Sequence, residues 1–98
     1  MIRSFFLGFI KIHILHHATE ERVYGFWLIE ELRRHGYDIS PGTLYPILHS
    51  LEKEKLLESQ KETIDGKVRK YYKITRQGRK ALKAAKIKIK ELVDEVMK

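Results

Sequence analysis

The residues of this 98-residue chain with the means to do chemistry are five histidines, a single tryptophan and a crowd of lysines and arginines. His13 and His17 stand four apart with His16 beside them, a spacing that sets two imidazoles on one face of a helix. Structural zinc wants four protein ligands, so this pair reads as a solvated helix end, and neither a metal nor another cofactor is expected. The chain has no Cys, which excludes disulfides, a thiol nucleophile and every thiolate metal site. Ser, His and Asp fall on separate short segments, with no Gly-framed nucleophile and no phosphate-cradling loop, so the pattern offers no enzyme.

The charges say more. Lys and Arg number 20 against 13 Asp and Glu, a net charge of +7. They are unevenly placed. Residues 61–90 hold twelve basic residues against two acids, so this stretch is net +10 and the rest of the chain net −3. A basic domain with its charge gathered in one region points to a polyanion, nucleic acid first among them, against the plainer reading of a lysine face kept for solubility. The apolar run Ile2 to Leu15 is interrupted by Arg3 and Lys11 and is shorter than the about 20 residues of a membrane span. With no cleavage site after it, the expected location is the cytoplasm, with no membrane partner.

These groups must be held by something. A first helix is expected over about Ile2 to His16, apolar all round, which calls for cover on more than one side and suggests a second subunit. A second helix runs about Tyr24 to His35 and stops at Gly36, with Gly25, Leu28, Ile29 and Leu32 on one face and Trp27, Glu30 and Arg34 on the other. Trp27, the only Trp, on that outward face marks a candidate effector or interface position. A third helix opens at Ser40-Pro41, buries Leu44, Ile47, Leu48 and Leu51, and turns Gly42, Pro46, His49 and Lys53 outward. Pro46 removes one backbone hydrogen bond and should loosen the first turn.

Asp65-Gly66 then joins Leu56–Ile64 to Lys67–Thr75 as a hairpin. The register about that turn sets Leu57 opposite Ile74 and Ser59 opposite Tyr72, with ion pairs Glu58–Lys73 and Glu62–Arg69 on the other face. Tyr71 and Tyr72 read as wing packing. Thr75 caps a last helix to about Met97, where Gly78, Leu82, Ala85, Ile89, Leu92 and Val96 form a heptad seam.

The predicted fold is therefore mainly α with a small antiparallel β-hairpin. It is a winged helix-turn-helix over residues 1–75 plus a long C-terminal dimerisation helix over 76–98, in one structural domain overall. In such an arrangement the third helix fits a major groove about 12 Å wide and the hairpin lies along the sugar-phosphate chain.

The residues also resemble a known family. Tyr24-Gly25-Phe26-Trp27-Leu28, Ser40 through Leu48 (SPGTLYPIL), Leu51-Glu52-Lys53-Glu54, Arg69 through Thr75 and Gly78-Arg79 are similar to the PadR family of transcriptional regulators, over nearly the whole chain. One helix after the wing resembles the short branch of that family. The resemblance implies a homodimeric regulator of double-stranded DNA, usually a repressor on a pseudo-palindromic operator, often released by a small aromatic or hydrophobic effector. It also implies DNA contacts at Ser40, Gly42, Thr43, Tyr45 and Pro46, and at Lys67, Arg69 and Lys70 in the wing; His49 and Lys53, on the outward face of the same helix, are candidate DNA contacts beside them. A dimer interface is implied through the first and last helices, here Phe5, Phe6, Phe9, Leu82, Ala85, Ile89, Leu92 and Val96. The chain departs from the family where a common Gly before the wing is Lys55 and where the last helix has no aromatic residue. The competing reading is a winged-helix adaptor that binds protein or RNA through non-specific basic contacts.

Overall fold

A computed structural model describes residues 2–98. Helix α1 (Ile2–Glu20) leads into a two-residue strand β1 (Val23–Tyr24), followed by α2 (Gly25–Arg34) and α3 (Pro41–Lys53). Strands β2 (Leu57–Ile64) and β3 (Lys67–Ile74) form the hairpin, and α4 (Arg76–Val96) closes the chain. The sheet is antiparallel with order β1-β3-β2.

The hairpin register is the expected one, with Leu57 opposite Ile74 and Ser59 opposite Tyr72. At its tip Asp65 (φ 52°) and Gly66 (φ 77°) are both left-handed, the turn whose twist matches the flanking strands. The strand β1 was not legible in the sequence: two residues carry no alternation to read. Val23 pairs with Tyr72 and is buried, so β1 ties the start of α2 to the wing. Tyr24 belongs to that strand, and α2 begins one residue later than expected.

Helix α1 runs four residues beyond His16, to Glu20. Apolar periodicity ends at Leu15, but Ala18 is buried, and His17 of the extra turn meets Trp27 of α2 edge to face at 5.5 Å. This corrects the placing of Trp27. Its ring is half-buried against the core instead of facing outward, because the longer α1 covers that flank of α2.

The core joins Ile10, Ile14 and Leu15 of α1, Leu28 and Leu32 of α2, the expected arc of α3, and Leu57, Tyr72 and Ile74 of the sheet. Helix α4 enters this core only through its first turns. The Thr75 hydroxyl accepts from the Gly78 N–H (2.9 Å) and donates to the Lys55 carbonyl (2.6 Å), fixing where α4 starts. A Cβ at Gly78 would stand 2.1 Å from the Leu56 carbonyl oxygen, so only Gly lets α4 approach this closely. Leu82, expected in the seam facing a partner, is 4% exposed and packs in the chain's own core. Beyond it Ala85 and Ile89 are half-buried, and Leu92, Val93 and Val96 are exposed. At the other end of the chain Ile2, Phe5 and Phe6 are exposed as well, with Phe9 half-buried.

Helices α2 and α3 end alike. The Tyr37 N–H donates to the Leu32 carbonyl and the Gly36 N–H to that of Arg33, each at 2.9 Å. After α3 the Leu56 and Lys55 N–H groups repeat the pattern onto Leu51 and Glu52, also at 2.9 Å. This pair of hydrogen bonds requires a left-handed residue, met by Gly36 (φ 88°) in one case and by Lys55 (φ 64°) in the other.

Candidate nucleic-acid interface

Helix α3 sits on the core with Leu44, Ile47, Leu48 and Leu51, and a 3.6-residue period then turns the remaining positions outward. Ser40, Gly42, Tyr45, Pro46, His49 and Lys53 are all exposed, and Thr43 is half-buried beside α1. The structure thus brings six of the seven sequence-predicted residues of α3 and its cap to one outer face, with Thr43 at the edge toward α1. The helix is continuous through Pro46, which cannot donate to the Gly42 carbonyl. A Cβ at Gly42 would meet only the Ser40 hydroxyl oxygen, at 3.6 Å, so the backbone there is open to close approach.

Tyr45 has a second commitment. Its phenol ring lies against Gly25 at the start of α2, so the residue braces the two helices while remaining 50% exposed. Tyr45 thus packs on α2 and shows on the outer face at once.

Lys67, Arg69 and Lys70 of the wing are exposed. Lys70 Nζ is 3.4 Å from Glu52 of α3, and the Ser59 hydroxyl of β2 donates to the same carboxylate. These two partners, Ser59 foremost, hold the Glu52 carboxyl below the usual carboxylate range. The hairpin and α3 are therefore joined at Glu52, through Ser59 first and Lys70 second.

One expected ion pair is replaced. Glu58 reaches Lys73 at 3.4 Å as predicted, but Glu62, opposite Arg69 in register, binds Arg22 through both guanidinium nitrogens instead. Arg69 turns onto the ring of Tyr24, 4.2 Å from its centroid, and Arg22 onto Tyr71 at 4.1 Å. Tyr24 and Tyr71 meet edge to face at 5.5 Å. The cause is β1, which brings Arg22 and Tyr24 alongside the wing. Tyr72 is buried in the core and Tyr71 lies in this stack, so both are packing residues.

Comparison with known proteins decides the family of the chain. Residues 14–84 match the family described as the transcriptional regulator PadR-like family. The chain belongs to that family. It is 47% identical over 96 residues to the transcriptional regulator Rv3488 of Mycobacterium tuberculosis, covering 98% of this chain and 90% of the relative. Among solved structures, a PadR family transcriptional regulator from Eggerthella lenta superposes with a TM-score of 0.86 at 32% identity, over 98% of this chain and 85% of that one. A PadR-like transcription factor from Bacteroides fragilis superposes with a TM-score of 0.85 at 30% identity, over 96% and 92%. As a PadR-like protein the chain is a DNA-binding transcriptional regulator with a winged-helix fold. No helix of the described residues is long and apolar enough to cross a membrane.

The sequence missed a histidine cluster between α1 and the end of α2. His13 and His17 of α1 are half-buried and face His35 at the end of α2. This corrects the picture of a solvated helix end. Burial, and then the neighbouring imidazoles, His35 first, push the His13 pKa down; burial also lowers that of His17, against the nearby Glu31 carboxylate.

Proposed function

We propose that the chain is a homodimeric repressor that sets the outer faces of two α3 helices into successive major grooves of a pseudo-palindromic operator. The observation that carries this reading is the single exposed face of α3, Ser40 to Lys53, joined through Glu52 to a wing bearing Lys67, Arg69 and Lys70. The grouping answers to the two tasks of such a protein. Helix α3 presents hydroxyl, phenol and imidazole groups suited to base edges, and the wing presents cations suited to phosphates.

Dimerisation through α1 and α4 is supported by the apolar side chains left without cover, Ile2, Phe5 and Phe6 at one end and Leu92, Val93 and Val96 at the other. Phe9, Ala85 and Ile89 join them as the half-buried margin of the interface. Release by a small hydrophobic or aromatic effector belongs to the same reading, and α4, lacking aromatic residues, does not provide the platform for it.

The test is selection of bound duplexes from a random-sequence pool at a salt concentration that strips non-specific complexes. The expected product is a pseudo-palindrome with half-sites about one helical turn, roughly 34 Å, apart. Recovery of no motif, with equal retention of RNA or random DNA, favours the non-specific adaptor instead.

A further inference from the structure

We propose that His13, His17 and His35 form a binding site for a borderline divalent transition-metal ion, with zinc the reference case, between α1 and the C-terminal end of α2. One ligand nitrogen from each of the three lies within 4.8 Å of the other two. Around tetrahedral zinc, with bonds of about 2.0–2.1 Å, neighbouring nitrogens stand about 3.3 Å apart. Closing the cluster by at most about 1.5 Å would bring the three nitrogens to that spacing.

The backbone holds the three in place. His13 and His17 are one turn apart on the inner flank of α1, with their rings stacked at 15°. His35 is the residue at which α2 gives way to its left-handed turn, and the paired bonds from Gly36 and Tyr37 lock that turn. Its ring stacks on that of His13 with centroids 4.9 Å apart.

A second, independent observation points to a ligand. His17 Nε2 is buried and, among the described residues, has no hydrogen-bond partner. A buried nitrogen of this kind normally carries a free-energy penalty, and a metal ion removes it. Two carboxylates lie near the cluster, Glu20 Oε1 at 4.0 Å from His17 Nδ1 and Glu31 Oε1 at 3.6 Å from His35 Nε2, both beyond hydrogen-bond length; a carboxylate is the common partner of a metal-bound imidazole. Three imidazoles without thiolate suit zinc, nickel, cobalt or copper and not magnesium or calcium. The other nearby group, His16, His17 and Glu20, is largely exposed, and His16 already pairs with Glu20 at 3.2 Å. It serves as the control. The proposal stands apart from the DNA reading, since none of the three histidines is among the residues assigned to DNA contact.

The experiment uses the full chain without a purification tag, stripped with chelator and titrated with zinc chloride by calorimetry and with nickel chloride by fluorescence. Trp27 is the only Trp and lies edge-on to His17 at 5.5 Å, so nickel at the cluster quenches it. The expected result is one ion per chain. Loss of a ligand should weaken binding at least as much as loss of an orienting partner does, about 10- to 100-fold, in His35→Ala. His35 is exposed and ends its helix, so that variant keeps its core, and its circular dichroism provides the folded control. His16→Ala should bind as the parent does. Zinc uptake no greater than that of His35→Ala overturns the proposal. So does loss of binding in His16→Ala with retention in His35→Ala, which would place the ion on the exposed pair.

Discussion

The phenol of Tyr45 occupies the space that a side chain at Gly25 would need. A Cβ on Gly25 would stand 2.5 Å from the phenol oxygen and 2.8 Å from Cζ. The tip of an exposed side chain can swing aside, so Gly25→Ala is expected to change stability by less than about 1 kcal/mol, the added helix propensity offsetting the displaced contact. Its effect should fall on DNA binding, because Tyr45 is then driven out across the α3 face. Operator affinity is expected to drop about tenfold, and Gly25→Ala/Tyr45→Ala should bind no worse than Tyr45→Ala alone. Additive losses in the double variant would show that the two residues act separately.

Lys55 holds a left-handed backbone (φ 64°) that a side chain makes unfavourable by about 1–2 kcal/mol. Gly accepts that conformation but loses more chain entropy on folding, about 0.5–1 kcal/mol. Lys55→Gly should therefore stabilise the fold by up to about 1 kcal/mol, or about 4–8 °C in Tm at this chain length. Thermal melts of the two proteins check this, and a lower Tm in the Gly variant contradicts the strain at α3's end.

His13 and His17 have pKa values held below 6.5, chiefly by burial. Folding therefore favours their neutral forms. The unfolded chain binds more protons than the native one between the lowered values and 6.5, so stability rises with pH across that window. It is fully present above 6.5 and is lost as pH falls through the native values. Chelator-treated protein should melt at lower temperature at pH 5 than at pH 7.5, and His13→Asn/His17→Asn should flatten the difference. An unchanged pH dependence in that variant would assign it to other groups.

Leu92 is 53% exposed in the single chain, so Leu92→Asp should change the stability of one subunit by no more than about 0.5 kcal/mol. In the dimer reading it places a charge in an apolar interface. Sedimentation equilibrium is expected to give twice the 11.7 kDa chain mass for the parent and a concentration-dependent lower mass for the variant. A parent that sediments as a monomer contradicts dimerisation through α4.

The order of helices and the hairpin register could be read from the sequence because each rests on local rules. The α3 arc follows from a 3.6-residue period, and Asp65-Gly66 fixes every cross-strand partner on its own. The outer face of α3 came with the arc. What escaped depends on contacts distant in sequence. Strand β1 exists only through its pairing with Tyr71 and Tyr72, 47 to 49 residues away, and with it Glu62 exchanges Arg69 for Arg22. The cluster of His13 and His17 with His35 likewise needs α1 laid against the end of α2, which no periodicity encodes. Trp27 was misplaced for a related reason. A helix wheel shows one buried arc, and α2 has cover on two sides.

The central claim is that α3 reads bases while the wing holds phosphates, and paired substitutions separate the two most directly. Binding of Thr43→Ala and Lys70→Ala to the selected operator and to scrambled DNA, across a salt series, is the measurement. The account predicts that Thr43→Ala loses about 1–3 kcal/mol of discrimination at one base position with its salt slope unchanged. Lys70→Ala should weaken both DNAs alike and lower the slope by about one. Equal weakening on both DNAs by both variants, with Thr43→Ala leaving the discrimination intact, would contradict it.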